Sequence, residues 1–320
     1  MEKENTTMET RRNWKSPILL LLTATIWGTA FVAQSMGLEY VGPFTFNGVR
    51  SLLGGLVLLP VIYFTGNPKK EESVSQEATN TKAEGRKTLI MGGISCGLCL
   101  CVASTVQQIG LQYTTVGKAG FLTAMYIILV PVLGLFIGKK CNSYIGISIL
   151  LAAVGLYLLS IKDGFRLERA DIYMIVCALV FAIHILVIDY FAPKCDGVKL
   201  SCIQFFVCGV ICTVLAFLIE RPELNRIWEA RLPIAYAGIM SCGVAYTLQI
   251  IGQKGMNPTV ASLILSLESV ISVLAGWALL HQALSARELT GCGIMFVAII
   301  LAQLPGNTEK QDVENSLGNT

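Results

Sequence analysis

The most restrictive feature of this sequence is a succession of long apolar runs separated by short charged segments. A helix needs about 20 largely apolar residues to cross the hydrocarbon core of a bilayer. Ten stretches are read as such spans: 17–38, 43–64, 88–112, 116–138 and 144–161, then 172–191, 200–219, 232–253, 259–280 and 289–304. The second holds a single internal charge, Arg50. The first is longer than the apolar core of a signal peptide, and no soluble domain follows it, so it reads as a membrane span.

Composition leads to the same class. Charged residues make up 14% and hydrophobic residues 54% of the chain, against about 25% and 45–50% in soluble proteins. With a mean hydropathy of +0.64, the apolar surface exceeds what a water-facing shell covers, and the lipid bilayer becomes the expected partner. The net charge of +3 sits in small clusters between runs. That is the pattern of membrane loops, and it argues against nucleic acid as a partner. Most of the 11 cysteines fall in or beside apolar runs, as Cys96, Cys99 and Cys101 do, where a thiol acts as a small apolar side chain. No metal and no cofactor are expected.

Three segments are too polar to fold alone: the tail 1–15, the loop 66–87 and the tail 305–320. With the N-terminus inside, Lys3, Arg11, Arg12, Lys15, Lys69, Lys70, Lys82, Arg86, Lys87, Lys139 and Lys140 face the cytoplasm, and only Lys118 of the first half lies outside. The second half votes the other way, with Lys162, Arg166, Arg169, Arg221, Arg226, Arg231 and Arg287 outside. The first helix usually sets orientation, so a multi-pass protein of the cell membrane with both termini cytoplasmic is expected.

The chain also repeats itself. One constant shift pairs Trp27 with Phe181, Phe31 with Ile185, Arg50 with Gln204 and Gly55 with Gly209; a second pairs Gln107 with Gln249, Ile109 with Ile251, Gly110 with Gly252, Ala119 with Ala261 and Tyr126 with Glu268. Matched landmarks in matched order point to duplication. A unit of five spans is odd, so its second copy enters the membrane from the opposite side. The fold expected is all-α and integral to the membrane, with ten transmembrane helices as two inverted five-helix repeats, at 17–161 and 171–304. Inverted repeats are the architecture on which many secondary transporters alternate access around a midplane site.

The stretch Gln107–Thr115, then Gly117 to Phe121 and Val130-Pro131, resembles the first repeat of the EamA family in the drug/metabolite transporter superfamily. Trp27-Gly28 and Val49-Arg50 fit the same pattern, and Leu267 to Val270 with Gly276-Trp277 resemble the second repeat. Ser269 stands where the family commonly has proline, and His281 where it commonly has glutamate. The resemblance implies metabolite export through a cavity lined by spans one to four and six to nine, with the fifth and tenth peripheral.

Ionisable groups at membrane depth are functional candidates, because a central charge costs about 2.5–3.5 kcal/mol on insertion scales. Glu268, near the middle of the ninth span, suits a coupling proton or a substrate amine; a carboxyl bonding a neighbouring helix is the competing reading. His184 shares a helical face with Phe181 and suits proton relay, or else a bond across the bundle. Arg50, two turns into its span, is either a partner for a substrate carboxylate or an interface anchor. Trp27, Phe31 and Gln34 share a face of span one, Tyr246 and Gln249 a face of span eight, and Gln107, Gln108 and Tyr126 complete the expected binding set. Gly93 with Gly97, and Gly134 with Gly138, are read as close helix contacts. Ser262, Ser266 and Ser269 form a stripe facing either the pathway or another helix.

No acidic metal motif, nucleophile motif or Gly-rich phosphate loop accompanies these residues, which counts against a membrane enzyme or an ATP-driven pump. The expected function is a secondary transporter of a small metabolite, an amino acid or relative, working by alternating access and modestly favouring proton coupling. A membrane enzyme or channel is the alternative; self-association is left open.

Overall fold

A computed structural model describes residues 14–65, 76–139, 143–160, 169–280 and 285–302. The described residues are helical and contain no strand. Among the described residues eight stretches are long and apolar enough to cross a membrane: Lys15–Gly37, Pro43–Phe64, Glu84–Leu111, Val116–Phe136, Arg169–Lys194, Gly197–Ile219, Arg231–Gln253 and Pro258–Leu279. The expected fifth and tenth spans are shorter apolar helices, Ile145–Gly155 and Leu289–Leu301.

In chain order the helices are α1 (Lys15–Gly37), α2 (Pro43–Thr65), α3 (Gln76–Leu111), α4 (Val116–Ala124), α5 (Tyr126–Phe136) and α6 (Ser143–Ser160). There follow α7 (Arg169–Phe191), α8 (Gly197–Ile219), a short surface helix α9 (Leu224–Glu229) and α10 (Arg231–Ala235). A π-helix, Tyr236–Tyr246, runs on into α11 (Thr247–Gln253), and α12 (Pro258–Leu265), α13 (Leu267–Leu280) and α14 (Ala286–Ala302) follow. Residues 76–87, read from sequence as part of an unstructured loop, are helical and extend α3. They are rich in Glu, Lys, Arg and Ala, strong helix formers able to prolong an existing span into water. Residues 1–13 and 303–320, nearly all of the two polar tails, and His281 lie outside the described residues.

Packing follows the repeat. The helix α2 lies against its counterpart α8, and α6 against α14; α3 packs on α7 as α11 and the π-helix pack on α1; α4 and α5 pack on α7 as α12 and α13 pack on α1. Local signals match as well. Thr115 caps α4 by accepting from Lys118 N, and Asn257, its repeat partner, caps α12 by accepting from Thr259 N. Each cap satisfies a donor that a helix start leaves unpaired.

One cap crosses between halves. Asp196 caps α8 by accepting from Lys199 N, but its repeat partner ahead of α2 is Gly42, which has no side chain to offer. The missing cap comes from Glu220 at the end of α8, whose carboxylate accepts from Phe44 N at 2.8 Å, Thr45 N at 2.7 Å and Thr45 Oγ1 at 2.6 Å. A β-carbon at position 42 would run into that carboxylate. An anion on a helix N-terminus also meets the favourable end of the backbone dipole.

Two expected small-residue contacts divide. Side chains on Gly93 and Gly97 would collide with Ile203, Val207 and Gln204 O of α8, so these glycines bring α3 onto α8. Gly134 and Gly138 do not join helices. Gly138 has φ +79 and open space around it, ending the α5 segment in a left-handed turn.

Replacing Glu220 with alanine is expected to cost about 1–2 kcal/mol of stability, read as a lower unfolding midpoint of the purified protein in detergent. The exposed neighbour Glu223, changed in the same way, should leave the midpoint within error.

Candidate functional site

Two helices change character at matched places. The fourth expected span passes through a tight turn at Met125 (φ −58, ψ −14), where Met125 N bonds Leu122 O, before α5 begins with Tyr126. The ninth passes through Ser266 (φ −62, ψ −12) before α13 begins, with Ser269 N bonded to Ser266 O. Glu268 lies in the first turn of α13, as its repeat partner Tyr126 opens α5. Between the two halves of the eighth span, Tyr236–Tyr246 winds as a π-helix, a widening that recurs at functional sites.

These irregular segments meet at one cavity. It is lined from α1 by Trp27, Phe31 and Gln34, from α2 by Arg50, from α3 by Gln107, from the fourth span by Thr123 and Tyr126, and from α7 by Phe181 and Ile185. Ser241, Tyr246, Gln249 and Glu268 close the far wall. The cavity volume is about 30 Å³. A small polar molecule needs the helices to part before it fits. Among the described residues neither α6 nor α14 contributes to the lining.

Burial forces polar groups to find partners, yet several here have none among the described residues. Trp27 Nε1, Gln34 Oε1, Arg50 Nε, Tyr126 Oη, Gln249 Oε1 and Glu268 Oε1 make no hydrogen bond. Tyr126 stands beside the Glu268 carboxyl, close enough to interact electrostatically, but without a hydrogen bond of good geometry. Arg50 is 4% exposed and lies 5.6 Å from the centre of the Phe46 ring. Among the described residues neither Arg50 nor Glu268 forms an ion pair. The α1 helix approaches α13 at Gly28, where any side chain would overlap Ile271 and Glu268 O, so Trp27 is pressed against the cavity. Its ring lies 4.5 Å from that of Tyr246, which Phe205 supports from behind at 5.6 Å.

The structure therefore brings together Trp27, Phe31, Arg50, Gln107, Tyr126, Tyr246, Gln249 and Glu268 of the expected set. Two members stand apart. Gln108 turns away from the cavity to donate to Gln34 O at 3.4 Å. His184 is fully buried behind Tyr246, with Nε2 bonded to Gln204 Oε1 at 3.2 Å. Gln34, grouped in sequence with Trp27 and Phe31, lines the cavity, as do Phe181 and Ile185, the repeat partners of Trp27 and Phe31, and Thr123 and Ser241, which carried no sequence signal. The serine stripe is inward and local: Ser262, Ser266 and Ser269 each donate to the carbonyl three residues back, at 2.7–2.8 Å. At the two ends of α7, Lys118 Nζ pairs with Asp171 at 2.8 Å and Lys139 Nζ with Asp189 at 2.7 Å. These pairs fasten the α4–α5 span to α7 at both ends.

The model of the EamA-like transporter family matches residues 14–161 and again residues 168–304, one copy on each half. The chain belongs to the EamA-like transporter family. This places it in the drug/metabolite transporter type of multi-pass membrane proteins, and its role is that of a membrane transporter. It is 29% identical over 287 residues to an "Uncharacterized transporter" of Archaeoglobus fulgidus, across 89% of this chain and 84% of the relative. It is 22% identical over 280 residues to the "Uncharacterized transporter YoaV" of Bacillus subtilis, across 84% and 91%. Similarity at 22% identity extends to the "WAT1-related protein At3g02690, chloroplastic" of Arabidopsis thaliana, across 87% of this EamA chain and 67% of that protein. A solved chain titled only "Crystal structure of protein" superposes with a TM-score of 0.73 at 16% identity, covering 92% of this chain and 98% of its own, and so shares the fold.

Because His184 holds α7 to α8 from outside the cavity, His184→Ala is expected to lose about 2–4 kcal/mol of stability, measured by chemical unfolding in detergent. It leaves Gln204, itself fully buried, without its partner.

Proposed function

We propose that this protein is a ten-span secondary carrier of a small zwitterionic metabolite, an amino acid or close relative, working by alternating access between two inverted halves. The observation that carries the reading is a buried guanidinium and a buried carboxyl, Arg50 and Glu268, lining one cavity, neither of them in an ion pair among the described residues. An isolated buried charge is costly. A ligand carrying both a carboxylate and an amine would satisfy the two at once, with the carboxylate on Arg50 in its donor fork and the amine on Glu268. Trp27 and Tyr246 offer ring faces to the ammonium and to an apolar side chain. Gln107, Gln249 and Tyr126 supply the directional hydrogen bonds that small-ligand sites use for orientation.

The narrowness of the cavity supports motion as part of the cycle. Access requires the irregular segments at Met125, Ser266 and Tyr236–Tyr246 to flex, and interrupted helices at the midplane are what transporters of this architecture employ. In an empty carrier, Glu268 must be neutral or find a counter-charge, so a proton that leaves as the amine arrives provides coupling. The loop charges of the first half support the cytoplasmic membrane with both termini inside, and family resemblance supports export as the net direction.

Binding tests the reading directly. Purified protein is screened by thermal shift against amino acids and related metabolites, and the best ligand is followed by calorimetry. Glu268→Gln and Arg50→Gln should each weaken binding of that ligand at least tenfold, whereas Ser272→Ala, buried outside the cavity, should leave it within twofold. A ligand held equally well by all three variants would remove the two charges from recognition.

A further inference from the structure

Away from the cavity lining, three cysteines meet. Cys101 of α3 and Cys208 and Cys212 of α8 are all buried, and their sulfurs lie within 4.8 Å of one another. Cys101 Sγ and Cys212 Sγ are 3.6 Å apart. Sequence spacing hides the cluster, because Cys101 is remote in the chain from the other two. Its cause is the close approach already described: Gly93 and Gly97 let α3 settle onto α8, and one turn beyond Gly97 the helix presents Cys101 to Cys208 and Cys212, themselves one turn apart on α8.

The surroundings differ from an ordinary apolar core. Ser51 Oγ lies 3.5 Å and Ser104 Oγ 4.0 Å from Cys208 Sγ, and Thr105 Oγ1 lies 3.5 Å from Cys212 Sγ. Thr105 in turn accepts from Asn47 Nδ2 at 3.5 Å. Hydroxyls around sulfur form the outer ring that orients metal-binding ligands. Arg50 is close enough to act electrostatically on Cys208, placing a fixed positive charge beside the sulfurs.

We propose that Cys101, Cys208 and Cys212 form a three-sulfur site for a soft monovalent metal ion, Cu(I), that ties α3 to α8. Soft thiolates select Cu(I), zinc or iron–sulfur clusters over magnesium or calcium. Zinc completes a tetrahedron with a fourth nitrogen, oxygen or sulfur ligand, and among the described residues no histidine, carboxylate or fourth cysteine joins the group. A three-coordinate ion matches the ligands present. On binding, each thiol gives up its proton, and Arg50 offsets part of the negative charge left on the sulfurs. None of its sulfurs belongs to the cavity lining, and Arg50 is the residue it shares with the proposed substrate site.

Anaerobic titration of the full-length protein in detergent, with Cu(I) delivered from bicinchoninate, tests the assignment. Cys101→Ser, Cys208→Ser and Cys212→Ser should each bind one equivalent fewer than the unaltered protein, while Cys202→Ser and Cys242→Ser, buried nearby outside the cluster, should bind the full amount. X-ray absorption at the copper edge, on protein in which the cysteines outside the cluster are serine, should show three sulfur neighbours. Equal losses in cluster and control variants, no loss in the cluster variants, or a two-sulfur shell would each overturn the site. Where the serine-rich protein does not fold, the single variants decide alone. A thiol count lower by two in the purified protein, restored by reductant, would identify a disulfide and likewise overturn it.

Discussion

A bilayer interior holds no water to pair with backbone N–H and C=O groups, so each must be satisfied within the protein. Every described segment is accordingly helical or a short connection between helices. The ladder loosens where protein covers it: at Met125, at Ser266 and along Tyr236–Tyr246, all next to the same buried cavity. Irregular backbone at membrane depth is tolerated only in such places. It leaves Tyr126, Glu268 and Tyr246 projecting from the least regular parts of otherwise regular spans.

The two halves share a plan but not their fastenings. The α4–α5 span is pinned to α7 by Lys118–Asp171 and Lys139–Asp189, whereas the matching α12–α13 span meets α1 through the bare backbone of Gly28. The same asymmetry marks the helix caps: α8 is capped by its own Asp196 and α2 by Glu220 of the other half. Duplication supplied one geometry twice, and substitution then distributed polar groups unequally over it. Glu268 opposite Tyr126 is the clearest case, since one repeat position carries a carboxyl and the other a phenol.

Much of this was legible in the sequence, for physical reasons that also mark where reading stops. Long apolar runs translate directly into helices, and eight of ten had full spanning length; the other two are shorter helices that pack on each other. The shift relating Gln107 to Gln249 also relates the caps Thr115 and Asn257, so the repeat reached details finer than the landmarks that revealed it. For His184 the sequence left relay and a bond across the bundle side by side; three residues along a helix turn about 300°, leaving it roughly 60° from Phe181. That is enough to face Gln204 instead of the cavity. Ser241 was unreadable because a π-helix abandons the 3.6-residue period on which facing arguments rest. The three-cysteine cluster depends on contact between α3 and α8, which no local pattern encodes.

The proposed carrier cycle is tested most directly by counterflow in liposomes containing the purified protein. Vesicles preloaded with unlabelled ligand and diluted into a trace of labelled ligand should accumulate label transiently above its external concentration, with a rate that saturates. Flux that only follows the label's own gradient and rises without saturation would contradict alternating access and identify a channel.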